Sequence, residues 1–396
     1  MSDIQKELDD RAKAVLTTHG IPNIAAVIVR DNGATVLTTA QGIRDTSQSV
    51  TASSNKVKKT DHFNVGSISK PITGFLIACL IKKNLLSWTT KIADVFPEFR
   101  SKAFRARCGM NENFLDTKVF ELMSHTTGMT GWYYYALNND DQRQRDTDPF
   151  RFLWDMGIYN GGNSRDKEWK NLNAVTYQRY LYTILCMKKE KYKFNSTRNF
   201  KLENKGEAGY GSMCTIAAAM VERKTGKPFE NVVKELLSDT LELEIKFGKL
   251  PNGMQFHFYD EGQDKYVPAP NMNNDFALFA SKNITGGIHC TVNGMAQFIK
   301  YNLRALDHSS LFSIGQYQSA VTDATRGGLF LGGGTNNEPL NHNGATGGSL
   351  ADMHIYPHSG RGFGVMLSSG GGASDQAQAD MMREIKDIHN NWDELS

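Results

Sequence analysis

The sequence predicts an α/β protein, with an antiparallel sheet flanked by helices and an inserted, mostly helical domain. Three observations carry this. Strand-like segments rich in β-branched residues stand near both ends of the chain, helical patterns lie outside them, and the middle third reads as helices around a polar insertion. Strands at both ends imply one sheet built from both.

Residues 3–19 carry Ile4, Leu8, Ala12 and Leu16 at helical spacing, and Gly20 with Pro22 closes that helix. Segments 24–29 and 35–39 flank Asp31-Asn32-Gly33, a turn signal for an antiparallel hairpin. Over 71–85 the chain is almost continuously apolar, which is too long for a strand and predicts a buried helix. Residues 119–123 and 216–221 read as further helices, separated by a stretch rich in Asn, Asp, Arg and Lys. Segments 353–356 and 363–367 read as strands around a turn at His358-Ser359-Gly360-Arg361, and a helix over about 374–389 finishes the chain. The predicted division is a sheet domain of residues 1–85 and 280–396, and a helical domain of 86–279 with its polar insertion near 137–205.

Composition narrows the function. The 396 residues are 40% hydrophobic and 22% charged, as in ordinary globular chains. The net charge of +3 comes from 45 basic and 42 acidic residues, too even a balance for a nucleic-acid partner. Five scattered cysteines without a CxxC pair suit a reducing compartment, and the first seven residues lack the apolar region of a secretory signal. No apolar run approaches the roughly 20 residues of a membrane span. The expectation is a cytoplasmic protein with no membrane partner. There is no GxSxG elbow and no HExxH, and neither Gly332-Gly333-Gly334 nor Gly370-Gly371-Gly372 leads into the Lys-Ser/Thr of a P-loop. No metal or cofactor is expected.

A serine hydroxyl becomes a good nucleophile when a neighbouring base takes its proton, and a lysine three residues later on a helix lies on the same face. Three tetrads have that spacing: Ser53 to Lys56, Ser67 to Lys70 and Ser164 to Lys167. The first and third lie in polar segments where the lysine stays solvated and protonated. Only Lys70 enters a buried helix, where desolvation favours the neutral amine. Ser67 then stands at the positive helix N-terminus, which stabilises a developing oxyanion.

The segment Phe63-Asn64-Val65-Gly66-Ser67-Ile68-Ser69-Lys70-Pro71-Ile72-Thr73-Gly74 resembles the nucleophile segment of the β-lactamase-related serine hydrolases. That family includes class C β-lactamases, DD-peptidases, family VIII esterases and lovastatin-type acyltransferases, and the resemblance implies a β-lactamase/transpeptidase-like fold. It also implies a Tyr motif and a KTG, HxG or WxG motif. Tyr210-Gly211-Ser212 and Tyr317-Gln318-Ser319 compete for the first; Tyr210 is preferred because residues 216–228 after it resemble the helix and capping glycine of the esterases and acyltransferases. By resemblance Tyr210 is the general base, and Ser212 stands where many relatives have a substrate-contacting Asn.

For the third motif, Lys224-Thr225-Gly226 is a literal match but reads as a helix C-cap, and His358-Ser359-Gly360 falls in a hairpin turn. His342-Asn343-Gly344 is the better match, because Ala345-Thr346-Gly347-Gly348 and a strand follow it. The resemblance then implies that His342, Asn343 and Gly344 bind substrate and that the N–H groups of Ser67 and Ala345 form the oxyanion hole. Residues 121–129 resemble the family's HTSG segment and Thr285-Gly286-Gly287-Ile288 its AGG turn, both read as structural.

The expected reaction is attack by Ser67 on a small-molecule acyl substrate, followed by release of the acyl group to water or an acceptor. An esterase, amidase or acyltransferase acting on a small metabolite is favoured. A β-lactamase, or an amidase like the DD-peptidases and D-aminopeptidases, is the alternative, and a non-catalytic scaffold or binding relative is the reading from another class. The aromatic run from Trp132 to Tyr135 is expected either at the pocket wall or in the core.

Overall fold

The computed structural model describes residues 2–124, 127, 129, 179–180, 183–184, 187, 212–269, 284–306 and 339–395. The chain divides into two compact units. One holds Met1–Ile72, Val233–Thr322 and Phe330–Ser396; the other holds Thr73–Val232 and Asp323–Leu329. Residues 233–279, placed with the helical domain from the sequence, fall in the first unit.

The strands described lie in that first unit: β1 (Asn23–Arg30), β2 (Thr35–Gly42), β3 (Phe63–Asn64), β4 (Ile245–Phe247), β5 (His257–Asp260), β6 (Lys265–Pro268), β7 (Ile288–Cys290), β8 (Leu340–Ala345), β9 (Leu350–Tyr356) and β10 (Arg361–Leu367). They form a five-stranded sheet in the order β2-β1-β10-β9-β8, a three-stranded sheet β3-β7-β4 and the hairpin β5-β6. Every pairing among them is antiparallel. The two ends of the chain meet at β1 and β10, in the register Ala25↔Met366 through Val29↔Gly362.

Period-2 alternation decides which side chains enter the core. Ile24, Ala26 and Ile28 of β1 lie in one apolar cluster with Phe363, Val365 and Leu367 of β10. Ile4, Leu8 and Ala12 of the first helix (Ser2–His19) join them, as do Ala377, Met381, Ile385 and Ile388 of the last long helix (Ser374–Asn390). Each fully buried Ile or Leu there contributes about 1.5–3 kcal/mol relative to exposure. The β1–β2 turn needs residues that tolerate positive φ, and Asp31 and Asn32 take +54° and +53°.

The apolar run over 71–85 forms a helix from Ser69 to Lys82. It starts earlier than predicted because Pro71 falls in the first turn, where its missing N–H costs nothing. It also stops short. Asn84 turns left-handed at φ +58°, and the Leu85 N–H returns to the Leu80 carbonyl at 3.0 Å, satisfying the end as a Schellman motif does.

In the second unit, the helix Ser212–Thr225 packs on the short helices Ile92–Val95 and Val119–Met123. It ends where Lys224-Thr225-Gly226 predicted a cap, with Gly226 at φ +67° and its N–H on the Glu222 carbonyl. Arg179 is wholly buried and pairs with Glu222 and Glu230. Burial pushes the Glu222 carboxyl up and Arg179 opposes the shift. Glu222 also accepts the Phe229 N–H at 2.9 Å. Among the described residues, no helix is long and apolar enough to cross a membrane.

Two histidines are buried beside β3 and β7. His62 Nδ1 lies 3.1 Å from His289 Nδ1, and the rings meet edge to face with centroids 5.0 Å apart. Burial is the main cause lowering both, with His289 pushed down to about 3, so both rings are neutral at pH 7.

Two measurements follow. Unfolded imidazoles take protons below about pH 6.5, whereas folded His289 resists protonation until about 3. Stability is therefore full above about pH 6.5 and falls as pH drops through that window. Urea unfolding between pH 7 and 4 shows this decline, and a His289→Gln variant flattens it. Arg179→Ala leaves two carboxylates without their cation and costs about 3–5 kcal/mol in the same assay.

Candidate active site

Ser67 sits in a single 3-10 turn, Gly66–Ile68, between β3 and the helix Ser69–Lys82. The turn is held at both ends: the Val65 N–H donates to the Ile288 carbonyl at 3.0 Å and the Ile68 N–H to the Val65 carbonyl at 3.1 Å. Lys70 follows one turn on, only 4% exposed, flanked in sequence by buried Ile68 and Ile72. Its Nζ lies 2.6 Å from Ser67 Oγ. A protonated amine donates across that distance and a neutral amine accepts the hydroxyl proton, so one geometry serves both directions of transfer.

The rival tetrads differ in environment. Ser53, Ser54 and Lys56 are exposed around a short 3-10 turn with no helix behind it. Ser164 to Lys167 lie outside the described residues.

His342-Asn343-Gly344 occupies β8, and its end lies against the turn that carries Ser67. A methyl group on Gly344 would be 2.0 Å from the Val65 oxygen and 2.8 Å from the Ser67 nitrogen. One on Gly66, which adopts φ +49°, would be 2.6 Å from the Ala345 nitrogen. Only glycine permits such an approach. It sets Gly344 against the backbone nitrogen of Ser67 and Gly66 against that of Ala345, the two predicted oxyanion donors.

Alternation along β8 puts His342 and Gly344 on its buried side, with Asn343 and Ala345 exposed. The His342 ring is 2% exposed and its Nδ1 lies 2.6 Å from the Asn343 carbonyl oxygen. That contact anchors the ring to its own strand. Ser212 opens the helix Ser212–Thr225. Tyr210, its rival Tyr317, and Trp132 lie outside the described residues. From the HTSG-like segment, Thr127 Oγ1 meets Met213 Sδ at 3.1 Å and accepts the Met129 N–H at 3.0 Å.

Four polar residues at this site carried no role in the sequence reading: Asn64, Ser69, Thr346 and Ser349. Asn64 Oδ1 accepts the Gly66 N–H at 3.0 Å and the Ser349 hydroxyl at 2.9 Å, with Thr346 Oγ1 at 3.4 Å. Its Nδ2 donates to the carbonyls of Gly286 at 2.9 Å and Ile288 at 3.2 Å. Ser69 Oγ donates to the Gly66 carbonyl at 2.6 Å and accepts the Ile288 N–H at 3.2 Å. Thus Thr285-Gly286-Gly287-Ile288 does more than turn the chain, since the Gly286 and Ile288 carbonyls hold Asn64 of β3. The available signal was an Asn inside a buried Phe63-Asn64-Val65 run, where a polar side chain needs partners. Among the described residues, no three His, Cys, Asp or Glu side chains cluster as a metal centre requires.

Residues 8–178 match the family model described as Beta-lactamase. A search of curated proteins found no match. Among solved structures, an octameric penicillin-binding protein homologue from Pyrococcus abyssi is similar with TM-score 0.64 at 15% identity, over 97% of this chain and 77% of that one. A structure described as SurE matches with TM-score 0.63 at 14% identity, over 99% and 76% of the two chains. A class C β-lactamase from Rhodobacter sphaeroides matches with TM-score 0.58 at 14% identity, over 97% of this chain and 99% of that one. At these identities the structures speak to the fold, which is β-lactamase/transpeptidase-like, and the family model adds its sequence match. The fold is thus that of the β-lactamases and penicillin-binding proteins, and residues 8–178 are similar in sequence to the Beta-lactamase family.

Proposed function

We propose that the protein is an acyl-transfer enzyme that forms an acyl-enzyme on Ser67, acting on an ester or amide of a small metabolite. The observation that carries this is the 2.6 Å contact between Lys70 Nζ and Ser67 Oγ at the mouth of a buried helix. In the first step the Ser67 oxygen attacks the substrate carbonyl carbon while its proton passes to the neutral Lys70 amine. The carbonyl oxygen takes up the negative charge beside the N–H groups of Ser67 and Ala345. Collapse of the tetrahedral intermediate breaks the bond to the alcohol or amine, which leaves with a proton. Water or an acceptor alcohol or amine then attacks the acyl-enzyme, giving hydrolysis or transfer.

Further roles rest on the sequence resemblance. Tyr210 is assigned as the general base that shuttles protons between Ser67, Lys70 and the leaving group, Ser212 and Asn343 as substrate contacts, and Trp132 as part of the pocket wall. The anchored ring of His342 gives it the part of supporting β8 behind the substrate. The Beta-lactamase family match favours one other substrate class, lactams and D-amino acid amides, for the same site.

A fluorophosphonate probe should label the wild type at Ser67 and leave Ser67→Ala unlabelled; equal labelling of the two sinks the acyl-enzyme and leaves the scaffold reading. Lys70→Met is expected to slow acylation about 10²–10⁴-fold, the usual contribution of a positioned base. Turnover of acyl esters, D-amino acid amides and lactams, with and without an added acceptor, separates the substrate classes and hydrolysis from transfer. Gly344→Ala forces β8 off the nucleophile turn. Its acylation rate should fall by at least about tenfold, the scale of a misplaced catalytic group, as read by stopped labelling with the same probe.

A further inference from the structure

We propose that Asn64 is a positioning residue for acyl transfer, whose side-chain amide sets the spacing between the Ser67 and Ala345 N–H groups. The inference rests on the acyl-enzyme reading of Ser67.

The hydrogen-bonding capacity of the amide is fully used. A primary amide offers two donors and an oxygen with two lone pairs, and Asn64 spends them on five groups in three segments, the Thr346 hydroxyl being the most distant at 3.4 Å. Its oxygen holds the Gly66 N–H, one residue before the nucleophile, and the Ser349 hydroxyl. Its nitrogen holds the Gly286 and Ile288 carbonyls, on the approach to β7. The side chain is 1% exposed, so these bonds do not compete with bulk water.

Ser349 connects Asn64 to the second donor. The turn from β8 to β9 begins directly after Ala345. It is closed by the Thr346 N–H on the Ser349 carbonyl at 3.1 Å and by a 2.6 Å contact between their hydroxyls. One side chain therefore grips the backbone just before Ser67 and the turn just after Ala345. The ladder alone gives little help there, because β3 pairs with β7 through only Phe63↔Cys290 and Asn64↔His289. Past those two residues the turn is held by the Val65 N–H on the Ile288 carbonyl and by the Ser69 hydroxyl on the Gly66 carbonyl, and neither bond reaches the turn after Ala345. Oxyanion donors must hold their geometry within about 0.5 Å, and the Asn64 amide supplies that tie.

The test uses the full-length protein and saturation kinetics of fluorophosphonate labelling, which separate probe binding from the first-order acylation step. Asn64→Ala and Ser349→Ala should each slow that step about 10–100-fold, within the range for a lost or misplaced oxyanion donor, with probe binding changed by less than about threefold. The double variant should be no slower than Asn64→Ala, because the Ser349 hydroxyl acts through the Asn64 oxygen that Asn64→Ala already removes. Asn64→Asp keeps the acceptor oxygen and, once protonated, regains a donor. Its rate relative to wild type at the same pH should therefore recover as pH falls.

If Asn64→Ala does not fold, Ser349→Ala and Asn64→Asp carry the test. Folded variants that acylate at the wild-type rate, or lose binding and rate equally without recovery at low pH, overturn the inference while leaving Ser67 as nucleophile. A wild type that the probe does not label at Ser67 overturns the acyl-enzyme reading, and this inference with it.

Discussion

The contact between the end of β8 and the turn at Val65–Ser67 is the constraint on which the site depends. It is backbone against backbone, with no room for a methyl group at Gly344. Such contact is insensitive to rotamer choice, so main-chain packing sets how closely the two segments approach. It also ties the local to the global. β8 is the edge of a sheet whose order runs through β9 and β10 to β1, so the placement of Ala345 inherits the packing of both chain ends.

Around that contact lies a polar lining inside an apolar shell. Asn64, Ser69, Lys70 and Ser349 are each 4% exposed or less, among buried Phe63, Val65, Ile68 and Ile72. Burying such groups unpaired costs about 1–3 kcal/mol apiece. Here Asn64, Ser69 and Ser349 bond one another's segments instead, and networks of this kind reward one arrangement over near alternatives. The same economy recurs in the second unit, where Arg179 is buried only because Glu222 and Glu230 meet it.

The family match and the geometry answer different questions. Similarity at 14–15% identity speaks to how the chain folds. The Ser67–Lys70 contact speaks to what this chain's own side chains are placed to do.

Much of the fold was legible in the sequence, wherever a local rule applied. Helical spacing marked Ser2–His19, β-branched runs with Asp31-Asn32-Gly33 marked the first hairpin, and the apolar run behind Lys70 picked Ser67 from three serines with equal spacing. Those signals are set by neighbours within a few residues. Helix ends were less legible, since Pro71 and Asn84 act through backbone conformations that apolar content does not encode. The strands β4 to β6 were missed because three or four residues carry too little alternation to register. What only the tertiary structure decided is the set of contacts between distant segments: Gly344 against Val65, and Asn64 on Gly286 and Ser349. Separations of about 220 to 285 residues leave no periodic trace. Whether a polar side chain in an apolar run is a clamp or a defect depends on partners that only folding brings to it.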